Sequence, residues 1–189
     1  MYFPVSLKVK DAPCLVVGGG RIASQKTRAL VQAGARVTVV SPTLVPSLKR
    51  LSPKHLRRQF RETDVRGVFL VVAATDDPAV NRGVHRACVR HGILVNVVDV
   101  PELCTFIMPA IVRRGPVTLA VSTGGRSPGL AKAIRKDLER LYPRSLGRLA
   151  RELGRARGRI LRALPPSPAR TRLLKGLTAG LSPRKAEAR

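Results

Sequence analysis

The stretch Cys14-Leu15-Val16-Val17-Gly18-Gly19-Gly20-Arg21-Ile22-Ala23 decides the fold, because a short apolar run there is followed by three glycines and then by a helical pattern. It predicts a strand, a tight turn and a helix. Gly18, Gly20 and Ala23 match the spacing G-x-G-x-x-G/A, in which the first glycine allows the turn and the second lets a pyrophosphate approach the backbone. The small side chain of Ala23 lets the helix pack closely on the strand.

Residues that follow this motif extend it to a complete strand-helix-strand unit. Ala29, Leu30 and Ala33 keep the helical spacing, Gly34 is placed to end the helix, and Val37-Thr38-Val39-Val40 predicts a second strand. Glycine-rich turns also serve as ordinary connections, so the motif alone leaves a dinucleotide site and a plain turn equally open. The complete unit favours the dinucleotide site.

Further strands and helices alternate along the chain up to about residue 112. Leu48 to Leu56 is a weak, basic helical stretch, and Val68 to Ala74 is a continuous apolar run of the kind that is buried on both faces of a sheet. Asp77 before Pro78 predicts the start of a helix that ends near Gly92, and the next strand is Ile93 to Val98. This alternation predicts an α/β fold with a doubly wound, Rossmann-like parallel sheet.

The pattern changes beyond this region. Pro116 to Ser122 predicts one more strand, and Ser127 is placed to cap a helix with leucine and isoleucine on one face. A second amphipathic helix begins near Ser145. We therefore predict three segments: a dinucleotide-binding domain over residues 1–112, a small α+β dimerisation and substrate segment over 113–144, and a basic helical segment over 145–189.

The charge of the chain points to an anionic partner. It carries 36 Lys and Arg against 11 Asp and Glu, a formal net charge of +25, and residues 113–189 hold 20 of those basic residues. Nucleic acid is the first candidate for such a charge. A small molecule with many carboxylates would be bound by arginine equally well, and codon bias can also enrich arginine on solvated faces.

The cysteines and the hydropathy of the chain indicate in which cellular compartment the protein functions. Cys14, Cys88 and Cys104 are an odd number without C-x-x-C spacing, which argues against a disulfide framework and a zinc ribbon. We interpret all three as small buried apolar residues. No apolar run reaches the roughly 18 residues that span a bilayer, and the N-terminus lacks the layout of a secretion signal. The expectation is a cytoplasmic protein with no membrane partner.

The predicted cofactor site gathers at the carboxyl ends of the strands, where open α/β sheets bind ligands. The residue after Val98, Asp99, follows such a strand, and desolvation by the neighbouring valines would make its carboxylate a better general base. Judged on local sequence alone, a turn aspartate that accepts backbone N–H bonds is the favoured reading. The second strand ends without the acid that usually binds the ribose 2'-hydroxyl, so NAD and NADP both stay open. The predicted cofactor-binding residues are Gly18, Gly19, Gly20, Arg21, Ile22, Ala23, Ser41, Pro42, Thr43 and Thr75.

Six blocks in order resemble one known family. They are Val16-Val17-Gly18-Gly19-Gly20 with Ala23 and Lys26, Ala33-Gly34-Ala35-Arg36-Val37-Thr38-Val39, Ala73-Ala74-Thr75-Asp76-Asp77 with Asn81, Asn96-Val97-Val98-Asp99, Phe106-Ile107-Met108-Pro109-Ala110, and Ala120-Val121-Ser122-Thr123-Gly124-Gly125 with Ser127-Pro128. Over roughly residues 2–145 the chain is similar to the precorrin-2 dehydrogenase / sirohydrochlorin ferrochelatase family, which is also the N-terminal module of siroheme synthase.

The resemblance implies an NAD-dependent oxidation of precorrin-2 to sirohydrochlorin in siroheme biosynthesis, with ferrous iron inserted afterwards by some members. It also implies a homodimer, and Asp99 as the catalytic residue. No methyltransferase module follows in this sequence, which we take to indicate the free-standing form. Candidate substrate-binding residues are Thr123, Gly124, Arg126, Arg113 and Arg114. No metal ligand is assigned, since no histidine follows His91 to serve a chelatase that needs one.

Two other classes of protein stay open. A regulatory domain that senses NAD would share the glycine-rich unit, would need no acid at a strand end, and would bind its ligand without turnover. A nucleic-acid-binding protein would explain the charge and would bind with a steep salt dependence. The sequence disfavours nucleic acid as a partner, because it lacks aromatic platforms and a recognition-helix motif.

Overall fold

A computed structural model describes residues 2–181, so the last eight residues of the predicted segment 145–189 lie outside the described part. The chain divides into two compact units, Met1–Met108 and Pro109–Arg189, which we call the N-terminal and C-terminal units. The predicted boundary after residue 112 falls inside a strand, Ala110–Arg114, that belongs to the C-terminal unit. Each unit is described by itself below.

Five parallel strands form the sheet of the N-terminal unit. They are β1 (Pro13–Val17), β2 (Arg36–Val40), β3 (Lys54–Leu56), β4 (Leu70–Ala73) and β5 (Leu94–Val97), and their order is β3-β2-β1-β4-β5. The first strand is central, since Val16 lies between Val39 and Val72. The strand order reverses on either side of β1, as in a doubly wound dinucleotide-binding sheet, so the predicted α/β fold class is confirmed.

Helices cover both faces of this sheet. Helix α1 (Arg21–Gln32) connects β1 to β2, and α3 (Pro78–Arg90) connects β4 to β5; α2 (Pro46–Lys49) is a single turn. The predicted start of α3 is confirmed, because Asp77 Oδ1 accepts hydrogen bonds from the backbone N–H of Ala79 at 2.7 Å and of Val80 at 3.3 Å. Short 3-10 turns lie at Glu62–Val65 and Pro101–Leu103.

Alternate residues of each strand enter two separate apolar clusters, one on each face of the sheet. On one face the strand side chains pack with Ala23 and Leu30 of α1, and on the other with Val84 and Ala87 of α3. These core residues are almost all Val, Leu and Ala, as expected for parallel strands buried on both faces.

Two of the three cysteines lie in these clusters, Cys14 on the α1 face and Cys88 on the α3 face. Burial raises the pKa of Cys14 to about 11 and that of Cys88 to about 12. Both thiols are therefore protonated near neutral pH, which agrees with their interpretation as buried apolar residues.

The helix predicted over Leu48 to Leu56 is wrong. Helix α2 ends at Lys49, and Ser52 has a φ of 48°, which a regular helix does not allow. The chain then forms β3, which extends the sheet beyond β2 by pairing Val39 with His55. Three residues with a basic first member give little periodic signal, so this edge strand depends on its partner strand rather than on its own sequence.

The C-terminal unit is an α+β structure. Strands β6 (Ala110–Arg114) and β7 (Val117–Val121) form an antiparallel hairpin, followed by α4 (Pro128–Leu141), α5 (Leu146–Ala163) and α6 (Pro168–Gly176). The predicted cap of α4 is confirmed, since Ser127 Oγ accepts a hydrogen bond from the N–H of Leu130 at 3.3 Å. The predicted strand at Pro116 to Ser122 corresponds to β7, whereas β6 was not anticipated as a strand.

Close backbone packing joins α5 to this hairpin. A Cβ atom at Gly147 would lie 2.6 Å from the carbonyl oxygen of Arg114, so only glycine fits at that position of α5. The buried apolar residues of the unit, within the part of the chain that the structure describes, are few: Val112, Ala131 and Leu146.

Candidate active site

A cavity of about 630 Å³ lies at the carboxyl ends of the five parallel strands. Residues that follow β1, β2, β4 and β5 line this cavity. A dinucleotide binds at this edge in sheets of this topology. Nine of the ten predicted cofactor-binding residues line its wall: Gly18, Gly19, Gly20, Arg21, Ile22, Ser41, Pro42, Thr43 and Thr75. Asp99 lines the same wall.

The three glycines after β1 serve different purposes in this wall. A Cβ at Gly18, whose φ is 122°, would lie 2.3 Å from the carbonyl oxygen of Ala74, and one at Gly19 would lie 1.8 Å from that of Thr43. These two glycines are required because neighbouring backbone approaches so closely. A Cβ at Gly20 would find no atom within 4 Å, so this residue leaves open space on the cavity side.

This open space lies at the N-terminus of α1. Gly20 is the N-cap and has no side chain to accept the free N–H groups of the first turn, which a helix leaves unpaired. Those donors and the helix dipole favour an anion such as a pyrophosphate. The glycine turn and the N-terminus of α1 therefore fit the pyrophosphate of a nicotinamide dinucleotide.

Ala23 does not reach the cavity wall. Its side chain is fully buried among the residues that join α1 to the sheet. Its small size allows α1 to lie close to β1, as the motif predicts, but the structure places it under the site rather than in it.

The loop after β4 is held by a pair of polar side chains. Thr75 Oγ1 donates to Asn81 Oδ1 at 2.8 Å, and the Asn81 amide donates back to the Thr75 carbonyl at 3.0 Å. Because Asn81 is buried on α3, this exchange fixes the part of the wall that Thr75, Asp76 and Asp77 form. Asn81 was noted in the sequence only as part of a resemblance, without this role.

The segment that follows β3 contains an ion pair, Arg58 with Asp64, that the sequence did not reveal. Arg58, Gln59 and Phe60 follow β3 and line the cavity beside Ser41 to Thr43. The guanidinium of Arg58 donates to both carboxylate oxygens of Asp64, at 2.6 and 2.8 Å. The hydrogen bond from Arg58, with further help from the N–H of Arg61, holds the pKa of Asp64 below its usual value.

Asp99 occupies the expected end of β5 in an unusual backbone conformation. Its φ is 59°, in the left-handed region that aspartate tolerates better than most residues. The expectation that valines desolvate its carboxylate is wrong for the single chain, because Asp99 is exposed while Val97 is buried in the core. The left-handed turn directs the side chain away from the apolar cluster and to the cavity wall.

The loop that carries Asp99 is closed by Cys104. Its thiol donates to the carbonyl of Val97 at 3.1 Å, and its Sγ accepts from the N–H of the same residue at 3.2 Å. Cys104 is half-buried and packs against the apolar cluster on the α3 face, so its interpretation as a buried apolar residue is confirmed in part, although its thiol is also hydrogen-bonded. The buried amide of Asn96 adds a bond to the carbonyl of Phe106 at 3.1 Å.

A lysine on α1 shares this neighbourhood. Burial lowers the pKa of Lys26, and the charge of the Asp99 carboxylate opposes that shift. The negative charge of Asp99 therefore favours the charged form of the Lys26 ammonium. The sequence offered a signal for Lys26 in its helical spacing from the glycine turn, but no chemistry was assigned to it.

The five predicted substrate-binding residues lie in the C-terminal unit, in two groups. Arg113 and Arg114 end β6 near the hairpin turn, whereas Thr123, Gly124 and Arg126 follow β7 at the opposite end of the hairpin. Five residues of strand separate the two groups, roughly 16 Å. Within one chain, the hairpin does not bring the two groups together.

Hydrogen bonds occupy two of these five side chains. Arg114 donates to the carbonyls of Tyr142 at 2.8 Å and Glu139 at 2.7 Å, and so satisfies the C-terminal end of α4. Thr123 Oγ1 donates to the carbonyl of Ser127 at 3.0 Å. The side chains of Arg113 and Arg126 are exposed.

Residues 2–181 contain no group of three His, Cys, Asp or Glu side chains placed to hold a metal ion. None of the helices among these residues has the length and apolar character to cross a bilayer.

Two family models match the chain. The one described as putative NAD(P)-binding covers residues 5–110, and the one described as sirohaem biosynthesis protein central covers residues 114–141. The two matches fall on the two units of the structure.

Curated relatives are similar over most of this chain. It is 46% identical over 189 residues to a siroheme synthase of Methylococcus capsulatus and 53% identical over 151 residues to one of Methylobacillus flagellatus. These alignments cover 96% and 78% of this chain but only 40% and 32% of the relatives. The chain thus spans two fifths or less of these longer proteins.

A solved structure is similar over nearly its whole length. The chain matches SirC, a precorrin-2 dehydrogenase, with a TM-score of 0.80 and 32% identity, and the match covers 95% of this chain and 90% of that one.

Proposed function

This chain belongs to the precorrin-2 dehydrogenase family, and on that premise we propose that it oxidises precorrin-2 to sirohydrochlorin with NAD as the hydride acceptor. One observation carries the proposal: a single cavity wall holds both the open glycine turn at Gly20 and the carboxylate of Asp99. The first suits a pyrophosphate, and the second suits proton transfer.

The residues of β1, β2 and α1 would hold the cofactor. Gly18 and Gly19 keep the loop close to its neighbours, the N-terminus of α1 would hold the pyrophosphate beside Gly20, and Ser41 to Thr43 would hold the adenosine half. When bound, NAD supplies the acceptor for the hydride that leaves a carbon of the substrate.

Asp99 completes the balance of this reaction. Loss of a hydride removes two electrons and leaves the substrate with one positive charge. A proton must then leave to give the neutral, more oxidised ring system. The carboxylate of Asp99 accepts that proton.

The polycarboxylate substrate accounts for part of the basic charge. Arg113 and Arg126 are exposed and free to pair with its carboxylates, with Thr123 and Gly124 beside Arg126. Arg114 contributes least among the five candidates, because its guanidinium is committed to the end of α4.

We also propose that the protein acts as a homodimer. Helix α4 exposes a row of large apolar side chains: Leu130 is 54% exposed, Ile134 39% and Leu141 46%. Their spacing of four and seven residues puts them on one face of the helix. A second copy of the same face would bury them symmetrically.

The cytoplasm is the compartment we propose. Cys14, Cys88 and Cys104 are all free thiols, as is usual in a reducing compartment, and NAD is a cofactor of intracellular redox enzymes.

Insertion of ferrous iron into sirohydrochlorin is a second candidate reaction, with iron as a substrate. It requires two pyrrole protons to leave, and the carboxylate of Asp99 would accept them one after the other, releasing each to solvent. Supplying sirohydrochlorin and ferrous iron without NAD isolates this step. A rate no faster than the protein-free control would leave oxidation as the only activity.

Anaerobic incubation with precorrin-2 and NAD tests the main proposal. We expect NADH absorbance and the sirohydrochlorin spectrum to rise together, in equal amounts, only when protein, substrate and cofactor are all present. NAD binding without turnover would instead identify a sensor domain. Tight, strongly salt-dependent binding of DNA or RNA without any oxidation would identify a nucleic-acid-binding protein.

A further inference from the structure

We propose that the ion pair between Arg58 and Asp64 makes this cavity select a dinucleotide with a free ribose 2'-hydroxyl over one with a 2'-phosphate. The inference rests on the proposed binding of NAD in the cavity and deepens it, since it names the device that sets cofactor choice.

The position of Arg58 suggests this role. Dinucleotide-binding sheets commonly bind the 2'-hydroxyl through an acid at the end of the second strand, or accept a 2'-phosphate through a nearby arginine. Here β2 ends in Ser41-Pro42-Thr43, without an acid, and Arg58 lines the same end of the cavity after the neighbouring β3. A free arginine at this place would favour the phosphate.

Arg58 is not free. One terminal nitrogen donates to Asp64 Oδ2 at 2.8 Å and to the carbonyl of Gln59 at 3.0 Å, and the other donates to Asp64 Oδ1 at 2.6 Å. Three of the five N–H donors of the guanidinium are thus committed within the protein. Two parallel bonds to one carboxylate also fix the plane of the guanidinium.

Asp64 is built to keep this charge neutralised. Its side chain is only 5% exposed, and its Oδ2 also accepts the N–H of Arg61 at 2.8 Å, which anchors it to the turn Glu62–Val65. Because the hydrogen bond from Arg58 holds the pKa of Asp64 low, the carboxylate stays ionised at neutral pH. The pair therefore presents no net positive charge to a 2'-phosphate, while the two remaining N–H donors can still bind a neutral hydroxyl.

Calorimetric titration of the full chain with NAD and with NADP tests the assignment. Asp64→Asn releases the charge of Arg58, so NADP affinity should rise at least about tenfold while NAD affinity changes by less than about threefold. In the double variant Asp64→Asn with Arg58→Met the gain should disappear. Raising the salt concentration should shrink the gain, as expected for an exposed charge on a phosphate.

Glu62→Gln is the matched control. Glu62 lies on the same turn, its change removes the same single negative charge, and it pairs with Arg90 rather than with a residue of the cavity wall. It should leave the ratio of NAD to NADP affinity unchanged. Equal shifts in Glu62→Gln and Asp64→Asn would overturn the proposal, because they would reflect only the total charge.

Arg58→Met keeps the test decisive if Asp64→Asn does not fold. The variant leaves the carboxylate of Asp64 without its cation, so NADP affinity should fall at least about threefold relative to NAD affinity. An unchanged ratio would overturn the proposal. Failure of the unaltered protein to bind either nucleotide would instead overturn the proposed function, whereas NAD binding with no response to either variant would remove only the role of this pair.

Discussion

The N-terminal and C-terminal units differ in how they bury apolar surface. The N-terminal unit packs apolar clusters on both faces of one sheet, whereas the buried apolar residues in the described part of the C-terminal unit are only Val112, Ala131 and Leu146. The same C-terminal unit exposes a row of apolar residues on α4. So small a core agrees with the proposal that the C-terminal unit buries its exposed apolar row against a second copy of the chain.

The largest effect should come from the chemistry of the N-terminal unit. Asp99→Asn keeps the size of the side chain and suits the left-handed φ of 59°, but it removes the base. Turnover should fall by roughly 10² to 10⁴, as is typical when an acid-base group is lost. The measurement is anaerobic turnover, with melting temperature, NAD affinity and oligomeric state recorded on the same preparation.

The melting temperature, NAD affinity and oligomeric state of Asp99→Asn should equal those of the unaltered protein. If Asp99 is instead a structural turn residue, Asp99→Asn will lower the melting temperature and spare the rate of the folded protein. A turnover near that of the unaltered protein would remove Asp99 from the mechanism.

The next effect should come from the apolar row of the C-terminal unit. Ile134→Asp puts a charge into the proposed dimer contact and should weaken dimerisation by at least about 2 kcal/mol, roughly 30-fold in the dissociation constant. Analytical ultracentrifugation measures it. Lys132→Gln changes the charge by the same single unit on the opposite face of α4, where Lys132 is exposed, and should leave the dimer intact.

NAD binding by the Ile134→Asp monomer tests whether the cofactor site needs the dimer. The N-terminal unit has its own core, so its NAD affinity should survive dissociation. Loss of NAD binding in a folded monomer would contradict the independence of the two units.

A third and smaller effect contrasts the two glycine-rich loops. Gly20→Asp places a carboxylate where the pyrophosphate must approach, so NAD affinity should fall at least about tenfold, or about 1.4 kcal/mol. Gly124→Asp makes the same change in the C-terminal unit, where a Cβ finds no atom within 4 Å, and should not alter NAD affinity. Unchanged NAD binding by a folded Gly20→Asp variant would mean that the dinucleotide lies elsewhere.

The smallest effect concerns two glycines of α5. A Cβ at Gly154 would find no atom within 4 Å, so Gly154→Ala should stabilise the helix by about 0.5–1 kcal/mol. Gly147→Ala should destabilise the C-terminal unit, because its Cβ would lie 2.6 Å from the carbonyl oxygen of Arg114. Differential scanning calorimetry measures both. A Gly147→Ala variant as stable as Gly154→Ala would contradict the packing of α5 on the hairpin.

Sequence patterns predicted the N-terminal unit well where local and tertiary signals agree. The glycine turn, the helix cap at Asp77 and the buried aliphatic strands all follow from residues a few positions apart. The edge strand β3 could not be predicted in this way, because its pairing with β2 is a tertiary contact. For the same reason no local pattern indicated that Arg58 would line the cavity.

The predicted cofactor residues, except Ala23, and Asp99 line one cavity, and their roles stay predictions. Asp99 does follow a buried strand, yet flanking valines could not reveal that its positive φ turns the carboxylate out of the apolar cluster. Cys104 does pack against the apolar cluster, but its hydrogen bonds could not be predicted, because the carbonyls that accept its thiol are brought there by the fold of the loop. The role of the arginines in the C-terminal unit stays a prediction.

The central place of β1 has a consequence for synthesis on the ribosome. This strand is made first, but its second neighbour, β4, pairs Ala73 with Val17 and emerges 56 residues later. At 5–20 residues per second the delay is roughly 3 to 11 s, during which one edge of an apolar strand has no partner. Nascent chains halted between β2 and β4 should therefore bind chaperones strongly, and release should coincide with the appearance of β4.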